Sequence, residues 1–383
     1  MEQGWWSARP TRVATVSELG GAPRPLAPGL GPGSRVVVVT GSYGAGHDAA
    51  AREIALRLRG IGCAVDTYDV VDLLPARTGR LLKVAYLAQL RHLPGSWEVT
   101  LRRLQPGSRT YRLTRQLVGL AGHRLLRAAA DADLVVSTHP FASQALGRLR
   151  VDGDLRCPVV TYLTDASVHP LWVHPGVDLH LAQHDVAADE ARRWGCRTRV
   201  VEPLVPVPTR RTSVDRRDLG LPEGRPLAVL VGGSLGIGEL EEAAIDLLGT
   251  GRVTPVVVCG RNQRLRERLA ARPGIVALGW RDDLPDLFAV ASVVVQNAGG
   301  FMSLEAMASG VPLLSYRPIP GHGRANAEAL ERAGLVPFVR RPGELPAAVD
   351  HALTAATSRL PSGAPDLVAL LTGAAARVPA GVA

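Results

Sequence analysis

The sequence predicts an α/β protein made of two Rossmann-like domains. Short Val- and Leu-rich runs alternate with helical stretches, this alternation occurs twice, and each half begins with a strand followed by a glycine-rich turn. Continuous apolar runs are typical of buried parallel strands, whose sheets are covered by helices on both faces. The length of 383 residues suits two domains, and the 46% hydrophobic content is sufficient for two cores.

The first half opens with a βαβ pattern. A strand is predicted at 35–40, a glycine turn at 41–46, a helix at 47–59 and a second strand at 64–71. Apolar residues fall on one face of this helix, and both strands are rich in β-branched residues. Three more strands are predicted at 134–137, 159–163 and 179–182.

The second half repeats this order. A strand at 227–231 leads into a glycine-rich turn at 232–238, and Glu239 opens a helix. Apolar runs and helical stretches then alternate as before. Strands are predicted at 254–259, 275–278, 293–296 and 312–315, and helices at 263–271, 284–290 and 301–309.

A stretch rich in proline and charge separates the two halves and is predicted to be a linker. The expected divisions are an irregular N-terminal arm at 1–34, a first domain at 35–205, the linker at 206–224, a second domain at 225–345 and a helical tail at 346–383. The arm has no apolar core of the kind that secretion signals contain, and no run reaches the length of a membrane-spanning helix.

The net charge of +9 suits a partner that carries negative charge, such as an anionic membrane, a nucleic acid or a phosphorylated substrate. The chain has no recognisable nucleic-acid-binding motif, so nucleic acid is not an expected partner. Its four cysteines lack the spacing of a zinc site, and free thiols are predicted.

Basic residues are concentrated between 77 and 127, here called the basic segment, where eleven Arg or Lys accompany the single acid Glu98. Leucines and aromatics are interleaved with them, which is typical of helices that lie in a membrane interface. The alternative is an ordinary solvated helix face whose apolar side packs in the core. The side chains expected to face a membrane are Arg80, Lys83, Tyr86, Arg91, Trp97, Arg102 and Arg103.

A histidine directly follows the first glycine turn. Gly44 and Gly46 allow backbone N–H groups to approach a ligand at the start of a helix, where the dipole favours an anion. His47 is a candidate general base near neutral pH. The alternative is a capping or surface histidine.

A second polar cluster follows the strand at 159–163, at a sheet edge where α/β proteins bind ligands. Asp165 is a candidate to orient a base or to serve as one, or else it caps a turn. His169 and Trp172 extend the cluster. Four histidines lie between 169 and 184, but their spacing matches no standard zinc signature, so no metal is expected.

The second half contains two candidate nucleotide loops. Gly232, Gly233 and Ser234 follow a strand and suit a diphosphate, although a plain tight turn is the alternative. After the strand at 293–296, small residues open a helix whose start can face phosphate. Glu305 in its next turn is a candidate ribose ligand, or else a solvated helix acid.

Three motifs in this order resemble the monogalactosyldiacylglycerol synthases and the bacterial processive diacylglycerol glucosyltransferases. They are Ser42-Tyr43-Gly44-Ala45-Gly46-His47 after the first strand, the segment from Thr164 to Asp178, and a second half similar to the donor domain shared with the peptidoglycan enzyme MurG. The likeness covers residues 35 to about 345.

The resemblance implies an α/β fold of the GT-B class, with two Rossmann-like domains facing a central cleft. It implies a hexosyltransferase that moves galactose or glucose from a UDP-sugar to a lipid acceptor such as diacylglycerol. The family inverts the anomeric carbon by direct displacement and needs no metal or other cofactor. The expected location is the cytoplasm, at the inner face of the cell membrane, with an anionic membrane surface as a partner.

The resemblance also assigns roles to residues. His47 is the implied base, Asp165 an acceptor-side partner, and the basic segment the region of membrane docking and acceptor entry. The implied acceptor and phosphate loop contains Gly44, Gly46, His169 and Trp172. The implied donor-binding residues are Gly232, Gly233, Ser234, Asn297, Gly299, Gly300, Ser303, Glu305, His322 and Asn326.

Two departures from the family affect its substrates. His322 follows Gly321 where relatives commonly have glutamine in contact with the sugar, and Tyr43 replaces a small residue of the first turn. A transferase for a non-lipid small-molecule acceptor is therefore one alternative. A UDP-sugar epimerase or hydrolase on the same fold is a second, and a non-catalytic binding protein that uses the basic charge is a third.

Overall fold

The computed structural model of the protein describes residues 29–205, 214–354, 360 and 363–373. Most of the predicted N-terminal arm, the 206–213 part of the predicted linker and the end of the predicted tail lie outside the described residues. The chain divides into two compact units. The first contains Met1–Tyr86, Thr100–Leu204 and Pro361–Ala383, and the second contains Leu87–Val99 and Val205–Leu360.

The first unit contains a parallel sheet of six strands in the order β2-β1-β3-β4-β5-β6. The strands are β1 (Arg35–Thr40), β2 (Ala64–Asp69), β3 (Leu134–Ser137), β4 (Val159–Leu163), β5 (Leu179–Ala182) and β6 (Thr198–Val200). The helices in this half of the chain are α1 (Ala45–Gly60), α2 (Val70–Leu73), α3 (Thr78–His92), α4 (Pro94–Arg103), α5 (Arg109–Gly119), α6 (Gly122–Ala128), α7 (Pro140–Asp152) and α8 (Asp185–Arg193).

The core of the first unit forms where the β-branched strands meet the helices. Val37, Val39 and Val135 are fully buried and pack with Leu125 and Leu146 from the covering helices. The predicted strands at 134–137, 159–163 and 179–182 are confirmed to the residue. This agreement follows from continuous apolar runs, which are buried on both faces of a parallel sheet.

The predicted strand at 64–71 is two residues too long. It ends at Asp69, whose carboxylate accepts a hydrogen bond from the Val71 backbone N–H at 2.8 Å. This is the geometry of a helix N-cap, and the short helix α2 begins at Val70. The apolar pair at 70–71 therefore belongs to a helix and not to the strand.

The second unit contains a parallel sheet in the order β12-β11-β10-β7-β8-β9. The strands are β7 (Leu227–Val231), β8 (Thr254–Val258), β9 (Val276–Leu278), β10 (Val293–Gln296), β11 (Leu313–Tyr316) and β12 (Phe338–Val339). The helices that follow in this half are α9 (Leu240–Gly249), α10 (Gln263–Ala270), α11 (Leu284–Val290), α12 (Phe301–Ala308), α13 (His322–Arg332), α14 (Leu345–Thr354) and α15 (Leu367–Leu371).

Both sheets reverse their strand order once, and these switch points locate the candidate sites. In the first unit the reversal lies between β1 and β3, and in the second it lies between β7 and β10. Ligands of open α/β sheets bind at the carboxyl ends of the strands beside such a reversal. The two predicted glycine turns follow β1 and β7, so each turn stands at its unit's switch point.

The predicted tail is divided between the two units. Helix α14 belongs to the second unit, where Leu345, Val349 and Ala352 complete the core. Helix α15 belongs to the first unit, where Leu371 accepts a backbone hydrogen bond from Leu30. The sequence also assigned 87–99 to the first domain, whereas the structure places this stretch in the second unit. Contacts distant in sequence decide both assignments.

Among the helices of the described ranges, none combines the length and apolar character needed to cross a bilayer.

Candidate active site

His47 is positioned at the switch point of the first unit by the end of β1 and the first turn of α1. Its Nδ1 lies 2.8 Å from the backbone carbonyl oxygen of Thr138, the residue that follows β3. The Thr164 hydroxyl lies 3.1 Å from the same nitrogen, and the Thr138 hydroxyl donates to the His47 carbonyl. Three strand ends therefore fix the orientation of one ring.

These contacts also determine which ring nitrogen carries the proton. A carbonyl oxygen only accepts hydrogen bonds, so the neutral His47 ring must carry its hydrogen on Nδ1. Nε2 then has a free lone pair, and no hydrogen bond to Nε2 occurs within the described part of the chain. This is the protonation state that a general base requires.

A second histidine, His139, supports the first and was missed by the sequence reasoning. Its ring contacts His47 edge to face at a centroid distance of 4.7 Å. Burial, together with the nearby His47 and His169, holds the pKa of His139 well below its usual value. His139 is therefore a neutral neighbour, and its place just after β3 was the only signal in the sequence.

The glycine that follows β1 is required by this second histidine. A Cβ at Gly41 would lie 2.5 Å from Cγ of the His139 ring, closer than side chains approach each other. Gly44 is the N-cap residue of α1, and Gly46 lies in its first turn. The first glycine turn thus serves close packing as well as the predicted access to backbone N–H groups.

The Thr138 carbonyl, and not the Asp165 carboxylate, lies at Nδ1 of His47, and the role of Asp165 at the base stays a prediction. One carboxylate oxygen of Asp165 instead accepts a hydrogen bond from the Trp172 indole N–H at 3.2 Å. Trp172 is fully buried, and its ring lies 5.7 Å from the His47 ring and 6.2 Å from that of His169. The predicted residues are therefore brought together around the His47 ring, with Asp165 bound to Trp172.

Tyr43 and Tyr86 belong to an aromatic cluster beside His47. The Tyr43 ring stacks on His139 at 5.1 Å and meets Phe141 and Tyr86 edge to face. The Tyr43 hydroxyl is buried without a hydrogen-bond partner, and burial together with Asp69 raises the pKa of Tyr43 to about 12. Tyr86 is half-buried and its ring packs against Tyr43, and the membrane-facing role of Tyr86 stays a prediction.

The remaining histidines of the 169–184 cluster have separate places in the core. Burial lowers the pKa of His174 to about 3 and the pKa values of His180 and His184 to about 4. Arg115 of α5 lies 2.7 Å from Nε2 of His174, which ties the basic segment to the loop after β4. In the described ranges, no group of three His, Cys, Asp or Glu residues is arranged to hold a metal ion.

The basic segment folds into four helices, α3 to α6. Arg80, Arg91, Arg102 and Arg103 are exposed, and their membrane-facing role stays a prediction. Lys83 is half-buried and donates to the Ser42 hydroxyl at 2.8 Å, so it joins the first glycine turn. Large apolar side chains are also exposed here, namely Leu81, Val84, Leu93, Val99, Leu113 and Leu120.

In the second unit, the loops after β7 and β10 meet at the switch point. The Asn297 amide donates to the Ile237 carbonyl at 2.9 Å, and its own oxygen is buried without a hydrogen-bond partner. Gly238 has φ +99°, and a Cβ there would lie 2.6 Å from the Asn297 amide nitrogen. The glycine-rich turn can therefore approach Asn297 only because position 238 has no side chain.

Two of the predicted donor residues form hydrogen bonds that support β10 and the loop after it. Ser303 is buried and its hydroxyl donates to the Gln296 side chain at 2.9 Å. Asn326 is buried and donates to the Ala298 carbonyl at 3.0 Å, which fixes the loop after β10. That loop continues through Gly299, which has φ +72°, to Gly300, the N-cap residue of α12.

Gly232 is buried against the Leu240 side chain, and the other predicted donor residues remain accessible. Gly233 is exposed, Ser234 and Glu305 are half-buried, and His322 is the half-buried first residue of α13. The sequence reasoning missed Trp280, which follows β9 and is 45% exposed. The Arg261 guanidinium lies 4.9 Å from its ring centre, forming a flat cationic surface at the same edge of the sheet.

The comparisons with known proteins agree with this geometry. Residues 47–207 match the family model of monogalactosyldiacylglycerol (MGDG) synthase. The predicted resemblance to this family is confirmed. The processive diacylglycerol beta-glucosyltransferase of Bacillus thuringiensis (strain Al Hakam) is 27% identical over 237 residues, covering 58% of this chain and 60% of the relative. The chain thus spans about 60% of the length of the processive diacylglycerol beta-glucosyltransferases that it matches.

Solved structures confirm the fold class as GT-B. MurG of Acinetobacter baumannii matches with a TM-score of 0.55 and 15% identity, over 91% of this chain and all of that one. HepE of Anabaena, solved in complex with UDP-glucose, matches with a TM-score of 0.52 and 18% identity, over 84% of this chain and 90% of that one. At such identities the likeness concerns the fold alone.

Proposed function

We propose that this chain is an inverting glycosyltransferase that moves a hexose from a UDP-sugar to a lipid acceptor such as diacylglycerol. The observation that supports this most is the His47 ring, whose Nδ1 hydrogen is directed to Thr138 and whose Nε2 is available as a base. It lies in the segment that matches the MGDG synthase family, and the relatives are named diacylglycerol glucosyltransferases.

In the proposed reaction, Nε2 of His47 takes the proton of the acceptor hydroxyl. The acceptor oxygen forms a bond to the anomeric carbon while the bond from that carbon to the diphosphate oxygen breaks, and UDP leaves. Displacement from the opposite face inverts the anomeric configuration. The imidazolium that forms is stabilised by the Thr138 carbonyl, and the neutral His139 adds no opposing charge.

The second unit supplies the proposed donor site. The turn at 232–238 and the loop after β10 present backbone N–H groups at a switch point, which suits a diphosphate. Glu305 is the proposed ribose ligand, and the Trp280 and Arg261 surface is suited to the uracil ring. The proposal includes no metal ion, because the backbone donors take the charge of the leaving diphosphate.

We also propose that the basic segment docks on the inner face of the cell membrane. Leu81 and Val84 of α3 are 69% and 63% exposed, and they share one face with the exposed Arg80 through spacings of three and four. Replacing Leu81 and Val84 by serine should weaken sedimentation with anionic vesicles. Leu56→Ser, at a 64% exposed position outside the segment, is the matched control.

A specific observation favours a second candidate. The cluster of Tyr43, Phe141 and Tyr86 beside His47 offers aromatic surface, which would suit the same transfer to a planar, non-lipid acceptor. The test is UDP release from UDP-glucose and UDP-galactose, with diacylglycerol in anionic micelles or with a soluble aromatic alcohol. Release that depends on diacylglycerol supports the first candidate, and release that depends only on the alcohol supports the second. Release of free sugar without any acceptor would contradict both.

A further inference from the structure

One residue of the basic segment contacts a residue of the proposed donor site. The stretch 87–99, from the end of α3 into α4, belongs to the second unit. Within that unit the Trp97 indole N–H donates to Nδ1 of His322 at 3.2 Å. The sequence had placed these residues in different domains and had given Trp97 only a membrane-facing role.

This hydrogen bond sets the tautomer of His322. An indole N–H is a donor only, so Nδ1 of His322 must be without a proton in order to accept it. The neutral imidazole then carries its hydrogen on Nε2. His322 is thereby held as an Nε2–H donor, which can bind a hydroxyl or a phosphate oxygen.

The position of His322 relates it to the donor crevice of the second unit. It is the first residue of α13, and the turn before this helix is tied to the loop after β10 by a hydrogen bond of 2.8 Å from Ile319 N–H to the Asn297 carbonyl. Asn326, one turn further along α13, donates to the Ala298 carbonyl. The start of α13 and the loop after β10 therefore form one connected structure.

We propose that Trp97 is a positioning residue for the sugar donor, holding His322 so that its Nε2–H donates to a hydroxyl of the hexose. This inference rests on the proposed UDP-sugar transfer and extends it to a residue of the basic segment. Without the indole donor, the ring loses the hydrogen bond that requires Nδ1 to be unprotonated, so the population of the Nδ1-protonated tautomer should rise. Trp97 acts through His322 and does not touch the reacting atoms.

The first test is Trp97→Phe, which removes the indole N–H and keeps an aromatic ring. In the wild-type protein, ¹⁵N spectra of labelled histidine should show His322 protonated on Nε2 and unprotonated on Nδ1, with the signal assigned by His322→Gln. The variant should show a mixture of tautomers. Its affinity for UDP-glucose should fall about fivefold to tenfold, the effect of one hydrogen bond, while its affinity for UDP alone stays unchanged.

The Gln variant also tests the donor role, because a glutamine amide accepts from Trp97 through its oxygen and donates through its nitrogen. The affinity of His322→Gln for UDP-glucose should stay within about twofold of the wild-type value. The affinity of His322→Ala should fall as far as that of Trp97→Phe. Trp194→Phe is the control, since that indole donates to the Val168 carbonyl in the first unit. It should leave the His322 signals unchanged.

The outcomes separate this inference from the proposed function. Wild-type protein that binds neither UDP-glucose nor UDP-galactose would overturn both. Normal wild-type binding with unchanged affinity in Trp97→Phe would overturn only the role of Trp97. A wild-type His322 that is protonated on Nδ1 would overturn it as well, whatever the affinity.

Discussion

Replacing His47 by asparagine separates its role as a base from its role in the structure. The asparagine amide nitrogen occupies the place of Nδ1 and can donate to the Thr138 carbonyl, whose present bond is 2.8 Å long. His47→Asn should therefore lower the free energy of unfolding by less than about 1 kcal/mol. His47→Ala leaves that carbonyl without its partner and should lower it by about 1–3 kcal/mol.

Both substitutions remove Nε2, so both should lower the rate of UDP release by about 10²-fold or more, the usual effect of losing a general base. A factor of 10² corresponds to about 2.7 kcal/mol in the activation barrier. The assay is diacylglycerol-dependent UDP release, accompanied by urea unfolding and by UDP binding, which should be unchanged. Near-normal turnover of His47→Asn would refute the assignment of the base. A rate loss in His47→Ala alone would show that the ring has only a structural role.

Three further predictions concern the packing and charge of the first unit. Gly41→Ala should lower the free energy of unfolding, measured by urea titration, by about 1–3 kcal/mol, because the new Cβ would meet the His139 ring. Gly60→Ala is the control, since a Cβ there meets nothing within 4 Å, and it should be neutral or slightly stabilising. Asp178→Asn should cost about 3–5 kcal/mol in urea unfolding, because it removes the carboxylate charge that balances the buried Arg150 guanidinium. Asp152→Asn breaks an exposed pair with Arg148 and should cost less than about 1 kcal/mol, and equal effects would contradict the burial argument. Burial lowers the pKa values of three histidines to between about 3 and 4, namely those of His174, His180 and His184. The stability that these neutral rings contribute is therefore complete above pH 6.5 and is lost as the pH falls towards 4, by at most about 1.4 kcal/mol per pH unit for each histidine. A first unit that is equally stable at pH 7.5 and at pH 5.5 would refute this prediction.

Much of the fold could be predicted because its signals are local. The strands at 134–137, 159–163, 179–182, 227–231 and 293–296 are continuous apolar runs and were located to the residue. The two glycine turns were identified because they directly follow strands. The end of β2 was misplaced because Val70 and Val71 suit a strand equally well, and only the cap formed by Asp69 decides for a helix.

The sequence predicts which residues belong to the site better than it predicts which partners those residues contact. His47 and Asn297 stand after strands at switch points, where a topological rule locates ligands. The ring partner of His47 is a backbone carbonyl 91 residues away, and no sequence pattern identifies which carbonyl that is. The same holds for His139, for Trp280 beside Arg261, and for Trp97, whose partner is 225 residues away.

The central claim is tested most directly by the anomeric configuration of the product. UDP-glucose carries its sugar in the α configuration, and UDP-galactose does too. Incubation of ¹³C-labelled UDP-glucose and of labelled UDP-galactose with diacylglycerol in anionic micelles should yield, from one of them, a β-linked glycosyl diacylglycerol, identified by its one-bond carbon–hydrogen coupling. The α-linked product would contradict displacement assisted by His47. A product mixture that contains only free sugar and UDP would contradict transfer to the lipid.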